Sequence, residues 1–448
     1  MERDDRTIGP SVQGDGLLTD GPASGRKAHR GGGLWRHRDF MLLWGGQSVS
    51  EIGSAVTQLA LPLIAVVALD ASAFEVGLLT AATSLAFAVF ALPAGVLADR
   101  RAKRGIMIFC DFARVVIIAA VPIAWYLGNL TMAQLYVVAL AVGVCTVLFD
   151  VSYQSYLPAL LRPEHLLEGN RKIAATQSCA RFVGPSLGSG LVGLLGAAGS
   201  MIVDALSYIL SGASLLGIRH RETPGEPAAE ASPRTGLWAE TFAGIKFVMG
   251  HTVLRKTVAC SGTVNLFGSM AGAIQIIFLV RVLHVHPAYT GLIFALASLG
   301  GICGGLLSGQ MARWIGSARV MWFSLLVIGL PQILSALAEP GWSVALFPLG
   351  FAISYFSIVN YNIAVVTYRL MICPPALLGR MTAAARWIAW GTIPVGGVIG
   401  GSLGTAIGIR PTLWIACVGT WAAGFWMYFT PLRRERDIPN APTANDGS

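Results

Sequence analysis

The sequence predicts an all-α membrane protein with twelve transmembrane helices arranged as two pseudo-symmetric six-helix bundles. Three observations carry that prediction. Hydrophobic residues make up 54% of the 448-residue chain and charged residues only 12%, whereas a soluble protein carries about a quarter charged residues. The apolar residues gather into runs of about twenty, the length a helix needs to cross hydrocarbon. The two halves of the chain also align with each other without gaps.

Residues 1–38 are polar, include Gly31-Gly32-Gly33, and lack the apolar core of a cleavable signal peptide. They are expected to form a disordered cytoplasmic tail, with the first span as an uncleaved insertion signal. The apolar runs place spans at 40–68, 74–98, 105–127, 132–156, 172–196 and 199–218, then at 257–282, 288–312, 318–338, 342–369, 381–406 and 410–430. Most of the 53 glycines, and prolines such as Pro62, Pro93, Pro122 and Pro185, sit inside these runs, where close helix packing and kinks are tolerated. The expected domains are a first bundle at 39–218, a linker at 219–255, a second bundle at 256–431 and a cytoplasmic tail at 432–448. The linker opens on the polar, Pro-containing stretch Glu222 to Glu230. It continues from Leu237 to Val248 with helical apolar spacing, as an amphipathic helix at the membrane interface would.

Lys and Arg set the orientation. Arg100, Arg101, Lys103, Arg104, Arg162, Arg171, Lys172, Arg219, Arg313, Arg319, Arg380 and Arg433 fall on one set of connections, and the opposite set offers Arg281 and Arg410. Both termini are therefore expected in the cytoplasm. The same distribution accounts for the net charge of +9 without a nucleic-acid partner. The seven cysteines lie singly in apolar runs without metal-ligand spacing, and His284 and His286 lack metal-like companions. Neither disulfide, metal nor other cofactor is expected.

A shift of 214 residues places Gly77-Leu78 on Gly291-Leu292, Ser84-Leu85 on Ser298-Leu299 and Gly95 on Gly309. A shift of 209 places Arg171 on Arg380, Pro185 on Pro394 and Gly188 on Gly397. Duplication of a six-helix unit explains both alignments.

Between the second and third spans runs Gly95-Val-Leu97-Ala-Asp99-Arg100-Arg101-Ala102-Lys103-Arg104. Gly95 permits close helix approach, Asp99 suits the positive end of a helix, and the basic run suits an anionic membrane face. The stretch resembles the cytoplasmic-loop signature of the major facilitator superfamily, with Ala102 in place of the second glycine. The resemblance implies a latch that holds the cytoplasmic side closed, with Asp150 supporting it through Arg101 or Arg104. In the second repeat Arg313 stands where Asp99 would fall.

In the fifth span, Gly184-Pro185-Ser186-Leu187-Gly188-Ser189-Gly190 resembles the glycine–proline pattern of antiporters of this superfamily, with Ser189 in place of a glycine. Plain helix packing explains the same residues. The stretch also fits the Gly-x-Ser-x-Gly nucleophile elbow, but that motif needs a strand–turn–helix context and this is a membrane helix. No Walker A sequence occurs, so transport energy would come from a gradient unless a separate ATPase subunit supplies it.

Ser50-Glu51-Ile52-Gly53, Phe149-Asp150, Leu166 to Asn170 and Leu377 to Met381 resemble the enterobactin-exporter and macrolide-efflux branch. That resemblance implies a monomeric plasma-membrane protein rather than an enzyme. It would export a hydrophobic or amphiphilic small molecule (a drug, secondary metabolite or siderophore) by proton antiport through the lipid bilayer. One departure bears on coupling: the fourth span lacks the arginine that proton-coupled drug antiporters often carry there. An importer or uniporter, or a non-transporting receptor or lipid scramblase, remain as alternatives.

A charge at bilayer depth costs at least about 2.5 kcal/mol, so each needs a partner or an aqueous cavity. At about 1.5 Å rise per residue, Glu51, Arg114, Arg181 and Asn265 fall near the midplane of their spans. Gln47, Glu51, Ser54 and Gln58 share one helical face, expected to line a central cavity. There Glu51 would take a coupling proton or bind a cationic group; the alternative is a structural pair with Arg114 or Arg181. Asp111, three residues before Arg114, suits a local ion pair. Deep aromatics such as Tyr355, Phe356, Tyr361 and Trp390 suit either substrate contact or core packing.

Overall fold

The computed structural model describes residues 34–220, 237–373 and 375–437. Residues 1–33 of the expected first tail, 438–448 of the last and the polar start of the linker lie outside the described residues, whereas Leu34–Arg36, also expected in the disordered tail, forms a 3-10 turn with Leu34 buried. Among the described residues there are helices and no strand.

Helix α1 (Arg38–Leu63) is capped by the His37 imidazole, which accepts from the Phe40 N–H. Capping boxes start α2 (Ala73–Arg100) at Ser72/Glu75 and α4 (Met132–Leu160) at Thr131/Gln134, satisfying N–H groups that the first turn cannot pair internally. Between them runs α3 (Lys103–Tyr126). The segment α5 (Pro163–Leu216) contains the fifth and sixth spans; the chain reverses at Gly196, whose φ of 74° is open to glycine and strained for other residues. The short α6 (Leu237–Gly250) packs on α11 (Pro375–Ala406) and on α7 (Thr252–Ile277). Then follow α8 (Pro287–Ile315), α9 (Val320–Phe323), α10 (Leu346–Ile372), α12 (Ile409–Ala422) and α13 (Gly424–Tyr428). Among the described residues, nine helical segments are long and apolar enough to cross a membrane. All twelve sequence-derived spans coincide with helical segments.

The ninth span departs from a continuous helix. After α9 it passes through a π turn at Ser324–Ile328 and a 3-10 segment at Leu330–Leu337. Pro331 lacks an N–H and its ring collides with the preceding turn, so α-helical pairing cannot continue through it. The repeat is visible in finer detail. A π turn ends the first span at Ile64–Ala68 and the seventh at Phe278–Val282, and left-handed residues follow at Asp70 (φ 49°) and His284 (φ 55°). Both features obey the 214-residue shift.

The halves meet along two crossed helix pairs, α2 on α11 and α5 on α8. Their tightest contacts lie at the face opposite the one that carries residues 34 and 437. A Cβ on Gly77 would stand 2.5 Å from the Gly397 carbonyl oxygen and 2.7 Å from the Gly401 Cα, and one on Gly291 would overlap the Pro185 carbonyl oxygen. The Arg281 guanidinium adds a bond to Asp70 at 2.7 Å and to the Val66 carbonyl at 3.2 Å. Toward the terminal face the pairs diverge: a Cβ on Gly95, Gly305 or Gly309 would meet open space. Gly95 therefore does not serve a close helix approach in this conformation, because no neighbouring atom lies within 4 Å of where its Cβ would stand.

Candidate functional site: a one-sided polar cavity

The divergence encloses a cavity of about 1260 Å³. Its wall from the first half includes Gln47, Glu51, Ser54 and Gln58 of α1, the face expected from their spacing, with Arg114 from α3, Asp150 from α4, and Gln177, Asp204 and Tyr208 from α5. The second half contributes Gln275 of α7 and Arg386, Trp390 and Ile393 of α11. Lining residues reach Leu157, Pro158 and Asn170 near the terminal face.

Glu51 is half-buried. One carboxylate oxygen accepts from the Gln47 amide at 3.0 Å and the Gln177 amide at 3.5 Å. Among the described side chains no cation lies within ion-pair distance of it; the Arg181 side chain falls outside that description. Ser54 shares a hydrogen bond with the Tyr208 hydroxyl at 2.7 Å, tying α1 to α5. Asp111 and Arg114 form the local pair that their spacing suggested, at 3.2 Å. The Arg114 guanidinium also lies 5.0 Å from the Phe149 ring and 4.9 Å from the Tyr208 ring. Arg114 is thus engaged by Asp111 and two aromatic faces and not by Glu51.

Two expected positions fall elsewhere. Asp150, read as a support for the basic loop, stands on the cavity wall, within electrostatic reach of Arg114, Glu51 and Arg386. Arg104, one of its two expected partners, donates to the carbonyls of Leu215 and Leu216 at 2.9 Å each, capping the sixth span. Asn265 is absent from the lining; its amide donates to the Ala389 carbonyl at 2.8 Å and joins α7 to α11. Arg100 and Arg101 are exposed at the α2–α3 turn and Lys103 begins α3; the Asp99 side chain lies outside the described ones.

Pro185 and its glycines are wedged between two helices. Gly184 and Gly188 receive α1 at Ala55 and Val56, while the Pro185 carbonyl and Ser189 press on Gly291 of α8; Gly190 faces open space. Of the deep aromatics, Trp390 lines the cavity and packs 4.6 Å from Phe87 across the halves. Tyr361 is core, donating to the Thr257 carbonyl at 3.0 Å, and Tyr355 and Phe356 are absent from the lining. Gln177 and Tyr208 were not anticipated. Tyr208 lies four residues after Asp204, on one helical face with it, and that spacing was the available signal.

A profile of transmembrane secretion effectors matches residues 34–445. The chain belongs to that family. It is thereby a major facilitator transporter and not an enzyme. It is similar to named efflux proteins. It is 24% identical over 401 residues to the multidrug efflux pump Tap of Mycolicibacterium fortuitum, covering 87% of this chain and 95% of that one. It is 23% identical over 385 residues to the enterobactin exporter EntS of Salmonella choleraesuis, covering 85% and 88%. Among solved structures, a bacterial homolog of the human lysosomal transporter Spinster, inward-facing and unoccupied, superposes with a TM-score of 0.66 at 16% identity, covering 88% and 96%. That likeness establishes the major facilitator fold for this transmembrane secretion effector.

Proposed function

We propose that the protein exports a hydrophobic or amphiphilic small molecule across the plasma membrane in exchange for protons, its halves at 39–218 and 256–431 rocking about the cavity. The observation that carries the proposal is the one-sidedness of that cavity. The halves are sealed by Gly77, Gly291 and the Asp70–Arg281 pair at one face and parted at Gly95 and Gly309 toward the other. The open face bears the Lys- and Arg-rich loops, which the positive-inside tendency assigns to the cytoplasm together with both termini. An exporter loads its cargo from that side. Tap and EntS are named for efflux and export, which favours the same direction.

Glu51 is the proposed coupling carboxylate. It faces the cavity, is held by two neutral amides and lacks a described cation partner; gaining or losing a proton there changes the charge of the wall that a substrate meets. Trp390 and Phe87 offer an aromatic surface, and the 95–104 loop is the proposed latch when the cytoplasmic side closes.

The test uses inside-out vesicles with ethidium as the probe. Imposing an inward-acidic gradient is expected to drive ethidium into vesicles bearing the protein, and collapsing the gradient to stop it. Equal accumulation with and without the gradient would rule out antiport.

A further inference from the structure

Asp204 lies about 12 Å past the Gly196 turn, at about 1.5 Å per residue, deep within the sixth span. Its side chain is fully buried. One oxygen accepts from the Ser207 hydroxyl at 3.2 Å; the other is enclosed and receives no hydrogen bond. The buried Thr57 hydroxyl of α1 lies against the same carboxyl, where it is placed to donate to it. Gly53, one turn earlier on α1, lets the two helices meet, since a Cβ there would stand 2.6 Å from the Asp204 carboxylate. Both Asp204 and Thr57 also reach the cavity lining.

Among the described side chains, the charged and titratable groups that act on this carboxyl are Arg114 of α3 and Tyr208 of α5 itself. Asp111 of α3 pairs with Arg114, and Asp150 of α4 lies within reach of Arg114, of Glu51 of α1 and of Arg386 of α11. Arg114, the buried cation of this group, is already engaged by Asp111 at 3.2 Å and by two rings. Asp150 has Arg386 as well as Arg114 within reach, whereas Asp204 shares only Arg114 among the described side chains, and a buried charge without a partner of its own is strongly disfavoured. A proton on the Asp204 carboxyl removes the charge that its burial disfavours, and the Thr57 hydroxyl can bond either form.

We propose that Asp204 is a second proton-exchanging carboxyl of the transport cycle, passing its proton to and from cavity water beside Thr57. The step breaks and forms one O–H bond, and water carries the proton away. This assignment rests on the antiport reading given above but concerns a different residue from Glu51.

The experiment is infrared difference spectroscopy of the purified protein in lipid, stepped between alkaline and acidic buffer, together with gradient-driven ethidium uptake. The wild type is expected to show a protonated-carboxyl C=O band that Asp204→Asn removes, Glu51→Gln leaves in place and Asp204→Glu shifts. Asp204→Asn is expected to lose at least tenfold of the gradient-driven uptake and to flatten its dependence on pH, and Asp204→Glu to regain part of both. A structural role would lower uptake at every pH and leave the shape of the pH profile unchanged. The assignment is overturned if Asp204→Asn retains the band, or if its gradient response equals that of the wild type. If the wild type ignores the gradient, the antiport reading falls first and takes this one with it.

Discussion

Arg114 sits 4% exposed in a membrane helix, and the surrounding side chains explain how it is tolerated. Asp111 supplies the counter-charge one turn earlier, and Phe149 and Tyr208 offer their ring faces. Removing one partner of such a buried pair leaves an uncompensated charge, at a cost of about 3–5 kcal/mol. Asp111→Ala should therefore lower the thermal unfolding temperature sharply, whereas Asp111→Ala combined with Arg114→Met should recover much of the loss. If the double variant were the less stable, the pair would not be the reason for the burial. At Glu51 the expectation concerns transport rather than folding. Glu51→Gln keeps a hydrogen-bonding group of similar size beside Gln47 and Gln177, so stability should change by less than about 1 kcal/mol, while gradient-driven uptake should fall at least tenfold. Unchanged uptake at normal expression would remove Glu51 from coupling. Asn265→Ala should cost about 0.6 kcal/mol, the typical worth of an interhelical hydrogen bond in a membrane, and leave the cavity untouched.

At the scale of helices, glycines separate two functions along the same element. Gly291 abuts the Pro185 carbonyl, whereas Gly305 and Gly309 on the same helix meet nothing. Gly291→Leu is expected to part α5 from α8 and reduce stability. Gly309→Leu is expected to fold normally and to impair transport by obstructing closure of the open face. Thermal unfolding and uptake measured side by side on the two variants check this; equal destabilisation would contradict it. The sequence disclosed this organisation unevenly. Hydrophobic runs located every span, because bilayer thickness imposes a length on a helix. The 77/291 and 95/309 correspondences were legible, but which end of α2 and α8 is in contact depends on the conformation of the whole transporter. The face of Gln47, Glu51, Ser54 and Gln58 was legible from periodicity, because helical spacing puts those four positions on one side. Asp150 and Asn265 were misplaced because depth along a helix is readable from sequence while azimuth relative to other helices is not. The broken ninth span had its signal in Pro331, and hydrophobicity hid it.

At the scale of the molecule, two repeats are joined by crossed helix pairs that grip at one face and part at the other. Outside the membrane spans, Asp437 accepts from the Ser317 backbone N–H at 3.0 Å and from its hydroxyl at 3.2 Å. That backbone hydrogen bond, the largest influence, holds the Asp437 carboxyl below its ordinary range. The depressed value means this tether is fully present above the ordinary carboxylate range and is lost as pH falls through the lowered value. Hydrogen exchange at the Ser317 amide should accordingly be less protected, relative to the intrinsic rate, in acidic buffer; a constant protection factor would contradict it.

The account depends most on the cavity opening to alternate faces. Its most direct test is a pair of spin-label distances, in a background lacking the exposed Cys179 and Cys303. Labels at Ala102 and Arg319 report the open face, and labels at Asn129 and Trp342 the sealed one. On passing from alkaline to acidic buffer with ethidium present, the first distance should shorten while the second lengthens. Distances that stay fixed, or that change in the same direction, would contradict an alternating cavity.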